Sequence, residues 1–378
     1  MNWRFILSGV FLLACGSFID NSRGVLLPLI TQQFQLSYTQ SSGFFIAGNI
    51  GSVVATFLLL ILTRTFSEKR LVMSAVILGT AGLVLGNRVS SFWSLMGYGS
   101  FLGFILSSYG ALSNLLVIHG TDLKSRSKMM CALHMIYGLT SIFSPLVCNF
   151  FLSQNIAWNG CLVLVAFLLI GLGLFVNRNI SDDPPPQDRM KPSLRLNGLQ
   201  KWVVLIFCLY ITGEVLNSMW FVTYLVTTQK MSVGLSSRYL SAFFVVMTLA
   251  RGICFFSLKE EQESRLLMAC LVGSMGFMVL GHLGWVWAFP LSGVLGPFFP
   301  LFLGRVSRVF HLQSKVLTLW ILGMGYLTLG LFHLGVGQIA AVLGMERAYW
   351  LPAVFVFLSF LAYWIYLIKE RAYLRGLH

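Results

Sequence analysis

The chain has 378 residues, 57% of them hydrophobic and only 10% charged. Soluble globular proteins carry roughly 25% charged residues, so this composition excludes a soluble enzyme, a nucleic-acid module and a disordered chain. It fits an all-α polytopic membrane protein, in which twelve spans of about 20 residues use about 240 positions and leave only overhangs and short loops.

The first apolar run covers 5–30. Leu12-Leu13-Ala14-Cys15-Gly16 inside it looks like a lipoprotein cleavage site, but the run continues to Ile30 and is too long for a signal peptide. Asp20 and Arg23 lie near its centre, three residues apart on one helical face. Ionisable side chains at membrane depth cost at least roughly 2.5–3.5 kcal/mol each, so they persist where they pair or face a cavity. Asp20 and Arg23 therefore read either as a cavity-facing pair for a proton and a polar group, or as a local ion pair that neutralises two buried charges.

Further spans are predicted at 39–63, 71–88, 92–119, 127–152 and 157–177. Asn49 and Asn114 within them are candidate hydrogen-bonding contacts for a polar solute. His134 shares a face with Gly138, Ser141, Pro145 and Asn149, a stripe that suits either a cavity lining or a tight helix contact. The stretch 178–200 contains Asp182-Asp183-Pro184-Pro185-Pro186, several basic residues and no apolar run. It divides an N-terminal half, 1–177, from a C-terminal half, 201–378.

The second half carries predicted spans at 201–227, 236–257, 265–281, 284–304, 314–343 and 347–368. Glu214 sits mid-span with no basic residue within one turn of its own helix, so it is the candidate proton carrier. Its bland alternative is a structural carboxylate hydrogen-bonded between helices. Asn217, Trp220 and Tyr224 follow as amide and ring contacts for a sugar. Arg251 reads as a gate or as a side chain that snorkels to the headgroups, and His333 as a weaker candidate. Trp158, Trp285, Trp287 and Trp350 lie near span ends, where aromatic residues anchor at the interface.

The charge pattern sets an orientation. The net charge is +14, but the 26 Lys and Arg residues sit mainly in short clusters between apolar runs, not in a nucleic-acid groove. With both termini cytoplasmic, 20 of them fall on the inner side and four (Arg88, Lys230, Arg238, Arg347) on the outer. The seven cysteines lie in apolar runs without a CxxC pair, which indicates neither a disulfide framework nor a zinc site. No HExxH, GxSxG or phosphate loop is present, so neither catalysis, cofactor nor ATP drive is expected.

The halves also echo each other. Asn21-Ser22 answers Asn217-Ser218, and Ile30-Thr31-Gln32-Gln33 answers Val226-Thr227-Thr228-Gln229 at the same offset. After a three-residue shift, Leu36-Ser37 answers Leu235-Ser236. Homologous halves around a midplane site are a transporter pattern.

Six plus six spans around a central loop resemble the major facilitator superfamily. Asp20-Asn21-Ser22-Arg23-Gly24-Val25-Leu26-Leu27-Pro28, Asn114-Leu115-Leu116 with His119-Gly120, Leu133-His134-Met135-Ile136-Tyr137-Gly138 and Gly296-Pro297-Phe298-Phe299-Pro300 resemble its fucose–galactose–glucose:proton symporter branch. The resemblance implies a 6+6 pseudo-symmetric fold, alternating access and a sugar moved with protons. Two departures stand out. The carboxylates that the fucose permease carries in spans 1 and 4 would fall near Gly24 and at Gly110. The loop Thr63–Arg70 keeps the basic end of the superfamily motif without its Gly and Asp. The expected partners are a small solute, protons and the lipid of the cytoplasmic membrane, with the chain acting as a monomer. Other readings are a facilitator or exporter of an amphiphile, and a sensor or scaffold that has lost transport.

Overall fold

The computed structural model describes residues 1–122, 126–182, 195–257, 262–310 and 314–375. The first half consists of α1 (Trp3–Gln33), α2 (Tyr38–Leu62), α3 (Glu68–Leu85), α4 (Phe92–Gly120), α5 (Arg126–Ser153) and α6 (Gly160–Asn179). The second consists of α7 (Gly198–Thr227), α8 (Val233–Ser257), α9 (Glu263–His282), α10 (Phe298–Val309), α11 (Ser314–Leu343), the short α12 (Met345–Ala348) and α13 (Leu351–Arg375). Twelve segments among the described residues are long and apolar enough to cross a membrane. Helices dominate because hydrocarbon offers no water to the backbone, so each span must satisfy its own N–H and C=O groups.

The tenth span departs from the expected continuous helix over 284–304. It enters as a 3-10 segment, Val286–Leu295, and becomes α-helical only at Phe298. Pro290, Pro297 and Pro300 lie along it, and proline removes main-chain donors from an α-helix interior. The central stretch 183–194 lies outside the described residues, so the linker over 178–200 is described only where α6 ends and α7 begins.

Helix starts follow cap chemistry. Ser37 and Gln40 form a reciprocal capping box on α2, as Asn197 and Gln200 do on α7. Ser232 caps α8 by accepting from the Leu235 amide at 3.2 Å. Gln35 (φ 49°) precedes Ser37 by two residues, and Lys230 (φ 55°) precedes Ser232 by two. The α1–α2 and α7–α8 turns are thus built alike. The structural counterpart of Ser37 is Ser232, not Ser236 as the sequence alignment has it, because the cap and the left-handed residue fix the register.

Within the first half α1 packs on α4 and α5, α2 on α4, and α3 on α6. The second half packs α7 on α13 and α11, while the 3-10 segment lies against α8 and α9. The halves meet along α1–α7, α2–α11 and α5–α8. These seams lie toward the end of the bundle remote from the termini. There Thr39 donates to the Gly337 carbonyl at 3.4 Å, and Ser241 to that of Ile142 at 3.0 Å. Gly24 packs directly on the Ser218–Met219 backbone, where a Cβ would meet main-chain atoms at 3.1–3.2 Å. At the opposite end charged ties brace each half: Arg70 with Asp182, and Arg305 with a buried Glu370. Phe57, Ile61, Phe167, Leu249 and Ile253 are each 60% or more exposed, which suits a surface that faces lipid.

Candidate functional site

The middle of α1 carries an ion pair, Arg23 Nη2 with Asp20 Oδ1. Three-residue spacing places both groups on one face. The second carboxylate oxygen, Oδ2, accepts from the Tyr137 hydroxyl of α5 at 2.7 Å. Beside it a polar seam ties the two helices: Asn21 donates to Ser141 Oγ at 2.9 Å, and Ser17 to the Tyr137 carbonyl at 2.8 Å. The Arg23 guanidinium lies 5.9 Å from the centre of the Phe45 ring and against Gly48 of α2, where a Cβ would crowd it at 3.2 Å.

The second half carries its own pair. Glu214 of α7 accepts from the Tyr210 hydroxyl at one oxygen and faces Arg251 Nη2 of α8 at 3.9 Å with the other. Arg251 Nε donates to the Gly296 carbonyl at 2.8 Å, at the point where the tenth span turns α-helical. Tyr210 stacks on Phe298 at 4.6 Å. Arg251 is therefore held inside the bundle and does not snorkel in this conformation. The sequence reading of Glu214 as isolated from cations holds only along α7, because its basic neighbour comes from the adjacent helix.

The two pairs share a neighbour. Tyr137, which bonds Asp20, also lies within Coulombic range of Glu214. Tyr326 of α11 lies near Ser107 of α4 and within Coulombic range of both Asp20 and Arg23. The side chains of Asp20, Arg23, Glu214 and Arg251 keep 27%, 15%, 13% and 11% of their surface, so none is sealed into a core. Each half holds one acid and one base, which makes each pair close to neutral and tolerable at membrane depth.

His134 packs its ring edge on Phe299 at 5.9 Å. With Arg251, Cys254, Pro297 and Pro300 it encloses a small cavity of about 60 Å³. The remainder of its stripe makes helix contacts: Gly138 packs on Thr248, Ser141 bonds α1, and Asn149 meets Gly234. Asn49 bonds its own helix at the Phe45 carbonyl, 3.0 Å away, and lies beside Gly330 of α11. Asn114 Oδ1 is buried without a hydrogen-bond partner, and Gly110, one turn earlier on α4, has open space before it.

Three candidates are buried and engaged with neighbouring side chains. Asn217 is 2% exposed and fully engaged: it donates to Ser292 Oγ at 3.1 Å and accepts from the Tyr349 hydroxyl at 2.7 Å. Tyr224 is 2% exposed, stacked on Tyr349 at 4.4 Å amid His282 and Phe289. Both join helices within the second half. Trp220 has no exposed surface; it donates to His333 Nδ1 at 3.0 Å and meets Phe45 edge-on at 5.7 Å. Phe45 stacks on His333 at 4.5 Å. Phe45, Trp220 and His333 form an aromatic plug between the halves on the remote side of the charged pairs.

Sequence reasoning passes over Tyr137, Tyr210 and Tyr326, because a tyrosine in an apolar run carries no charge to mark it. The available signal was that buried tyrosine hydroxyls need partners, and Asp20 and Glu214 are nearby acceptors. No group of three His, Cys, Asp or Glu side chains placed to hold a metal ion occurs among the described residues.

Comparisons with known proteins agree with this architecture. Residues 6–332 match the family model of the Major Facilitator Superfamily. A Protein TsgA homolog from Buchnera aphidicola subsp. Acyrthosiphon pisum is 22% identical over 278 residues, covering 68% of this chain and 69% of that protein. The crystal structure of a D-xylose-proton symporter superposes with a TM-score of 0.75 at 11% identity, over 96% of this chain and 97% of the other. The E. coli fucose:proton symporter FucP gives 0.62 at 16% identity, over 96% and 98%. With a twelve-span 6+6 bundle and a family match along most of its length, the chain belongs to the major facilitator superfamily of membrane transport proteins.

Proposed function

We propose that the protein is a secondary active transporter that moves a small polar, sugar-like solute across the cytoplasmic membrane by alternating access, coupled to protons. The observation that carries this reading is the two ion pairs within the spans, Asp20–Arg23 in one half and Glu214–Arg251 in the other. Alternating access rocks two halves around a fixed midplane site, so groups split between the halves change surroundings as the halves move. The names of the D-xylose and fucose symporters among the structural relatives support a sugar and a proton as the cargo.

In this reading Glu214 carries the proton. Its partners, Tyr210 within α7 and Arg251 from α8, stabilise the ionised form, and a shift of α8 away from α7 would leave the carboxylate to take up a proton. Asp20 and Arg23 bind the solute's hydroxyl groups, with Tyr137 fixing the carboxylate. His134, Asn49 and Asn114 line the approach. The 20-to-4 bias of basic residues between the two sides supports both termini and the 178–200 linker lying in the cytoplasm, with 1–177 and 201–378 as the moving halves. The remote end, where the halves meet, is then the outer face, and the conformation is closed to the outside. The chain works as a monomer.

The test is uptake by proteoliposomes of the purified protein, screened with radiolabelled pentoses, hexoses and disaccharides under an inward proton gradient. Accumulation of at least one sugar, abolished by a protonophore, is expected. Uptake that never rises above equilibration would remove the proton from the mechanism, and uptake of none would remove the sugar.

A further inference from the structure

Cys148 lies near the end of α5, and Cys161 is the second residue of α6. Both are buried, 0% and 1% exposed, and their sulfurs meet at 2.9 Å. Thirteen residues and a helix reversal separate them, so no local spacing marks them as a pair in the sequence. The turn between the helices holds the register that brings them together. Asn155 takes the left-handed conformation (φ 57°), the Ile156 amide donates to the Phe151 carbonyl at 3.1 Å, and the Gly160 amide donates to that of Ala157 at 2.8 Å. A disulfide bond is about 2.05 Å long, so the 2.9 Å contact is about 0.9 Å from a covalent one.

The side on which the pair lies also matters. The α5–α6 turn is at the end of the bundle remote from the termini, which is the outer face in the orientation proposed above. Outside the cytoplasm disulfides form and persist, whereas the cytoplasm keeps thiols reduced. A second pair of neighbours, Cys254 of α8 and Cys270 of α9, lies toward the opposite end and supplies a comparison within the same chain.

We propose that Cys148 and Cys161 are joined by a disulfide that staples the outer ends of α5 and α6. The oxidant is a disulfide-bearing thiol oxidoreductase of the outer compartment. One cysteine thiolate attacks the oxidant's S–S bond and forms a mixed disulfide, and the other cysteine then displaces the oxidant. One S–S bond forms in this chain and one breaks in the oxidant, whose two thiols receive the two electrons and two protons. The packed pair is closed to solvent, so the bond forms as the α5–α6 hairpin emerges, before the helices close over it. The staple has a mechanical consequence. α5 packs on α8 of the other half, and α6 on α3 of its own. A bond near the end of α5 keeps that helix with its own half when the halves part. The choice of side rests on the proposed orientation, and the pairing rests on the contact.

The experiment uses the wild-type chain as cells make it. Free thiols are blocked with N-ethylmaleimide in SDS at lysis. One portion is digested without reduction and searched by mass for linked peptides; the other is reduced, alkylated with iodoacetamide and mapped. A linked pair of peptides holding Cys148 and Cys161 is expected, with iodoacetamide at both positions on most molecules and maleimide on Cys254 and Cys270. Cys148→Ser should leave Cys161 blocked by maleimide. Maleimide on both Cys148 and Cys161 in the wild type would overturn the proposal. So would a Cys161 that stays protected in Cys148→Ser, since it would then pair elsewhere, or a Cys254–Cys270 link as frequent as theirs, which would mark indiscriminate oxidation. The bond is read by mass in either orientation, and labelling at position 230 tests the orientation separately.

Discussion

Phe45 is the member of the aromatic plug that comes from the first half; Trp220 and His333 come from the second. Its substitution by alanine removes two pairs that exist only while the halves are closed at that end: the edge-on contact with Trp220 at 5.7 Å and the stack on His333 at 4.5 Å. Aromatic pairs contribute about 0.5–1.5 kcal/mol each beyond simple burial, so Phe45→Ala costs the closed state about 1–3 kcal/mol. At about 1.4 kcal/mol per factor of ten, a loss of about 2 kcal/mol shifts the open-to-closed ratio about 30-fold toward opening. The Arg23 contact with Phe45 lies within one half and changes both states alike. Spin labels at Asn155→Cys and Lys230→Cys, exposed turn positions on opposite halves, report the opening by pulsed EPR distances. The distribution should gain a longer component in Phe45→Ala and stay near wild type in Phe45→Tyr. An unchanged distribution in folded Phe45→Ala would refute the plug as a gate.

Tyr349→Phe removes the hydroxyl that serves both Asn217 Oδ1 at 2.7 Å and the Asn217 carbonyl at 2.9 Å. It should lower stability by about 1–2 kcal/mol in a melting or denaturant assay and leave the solute KM unchanged, whereas a KM change without loss of stability would return Asn217 to the binding site. Asp182 accepts hydrogen bonds from Ser67 and Arg70, which hold its carboxyl below the ordinary value. A depressed native pKa stabilises above the unfolded value and is lost as pH falls through the native one, so this tie between the α2–α3 turn and the end of α6 should persist to below about pH 4 and then fail. Hydrogen exchange at residues 63–70 should show that acid step in the wild type and lack it in Asp182→Asn. Impermeant labelling from outside should modify a cysteine at 230 and spare one at 189, and the reverse pattern would invert the orientation read from the charges.

The twelve spans were legible because apolar runs and basic clusters are local signals, and hydrocarbon allows few alternatives to a helix. The Asp20–Arg23 pair was legible for the same reason, since three-residue spacing on one helix guarantees proximity. Glu214–Arg251 was not, because 37 residues and a helix turn separate them and only packing of α7 on α8 brings them to 3.9 Å. Asn217 and Tyr224 were placed at the cavity on residue type alone, but amides and rings in apolar helices satisfy one another, as Ser292 and Tyr349 do here. His333 was underweighted because nothing local reveals that it joins Trp220 and Phe45 between the halves. The 3-10 entry to the tenth span was hidden because apolar character alone does not distinguish helix types.

Glu214 is proposed to carry the coupled proton while the Asp20–Arg23 pair handles solute. The direct test is Glu214→Gln in proteoliposomes, measured both for accumulation under an inward proton gradient and for exchange of labelled against unlabelled solute at equal pH. Accumulation should disappear while exchange continues. Accumulation at the wild-type level in Glu214→Gln would contradict that role.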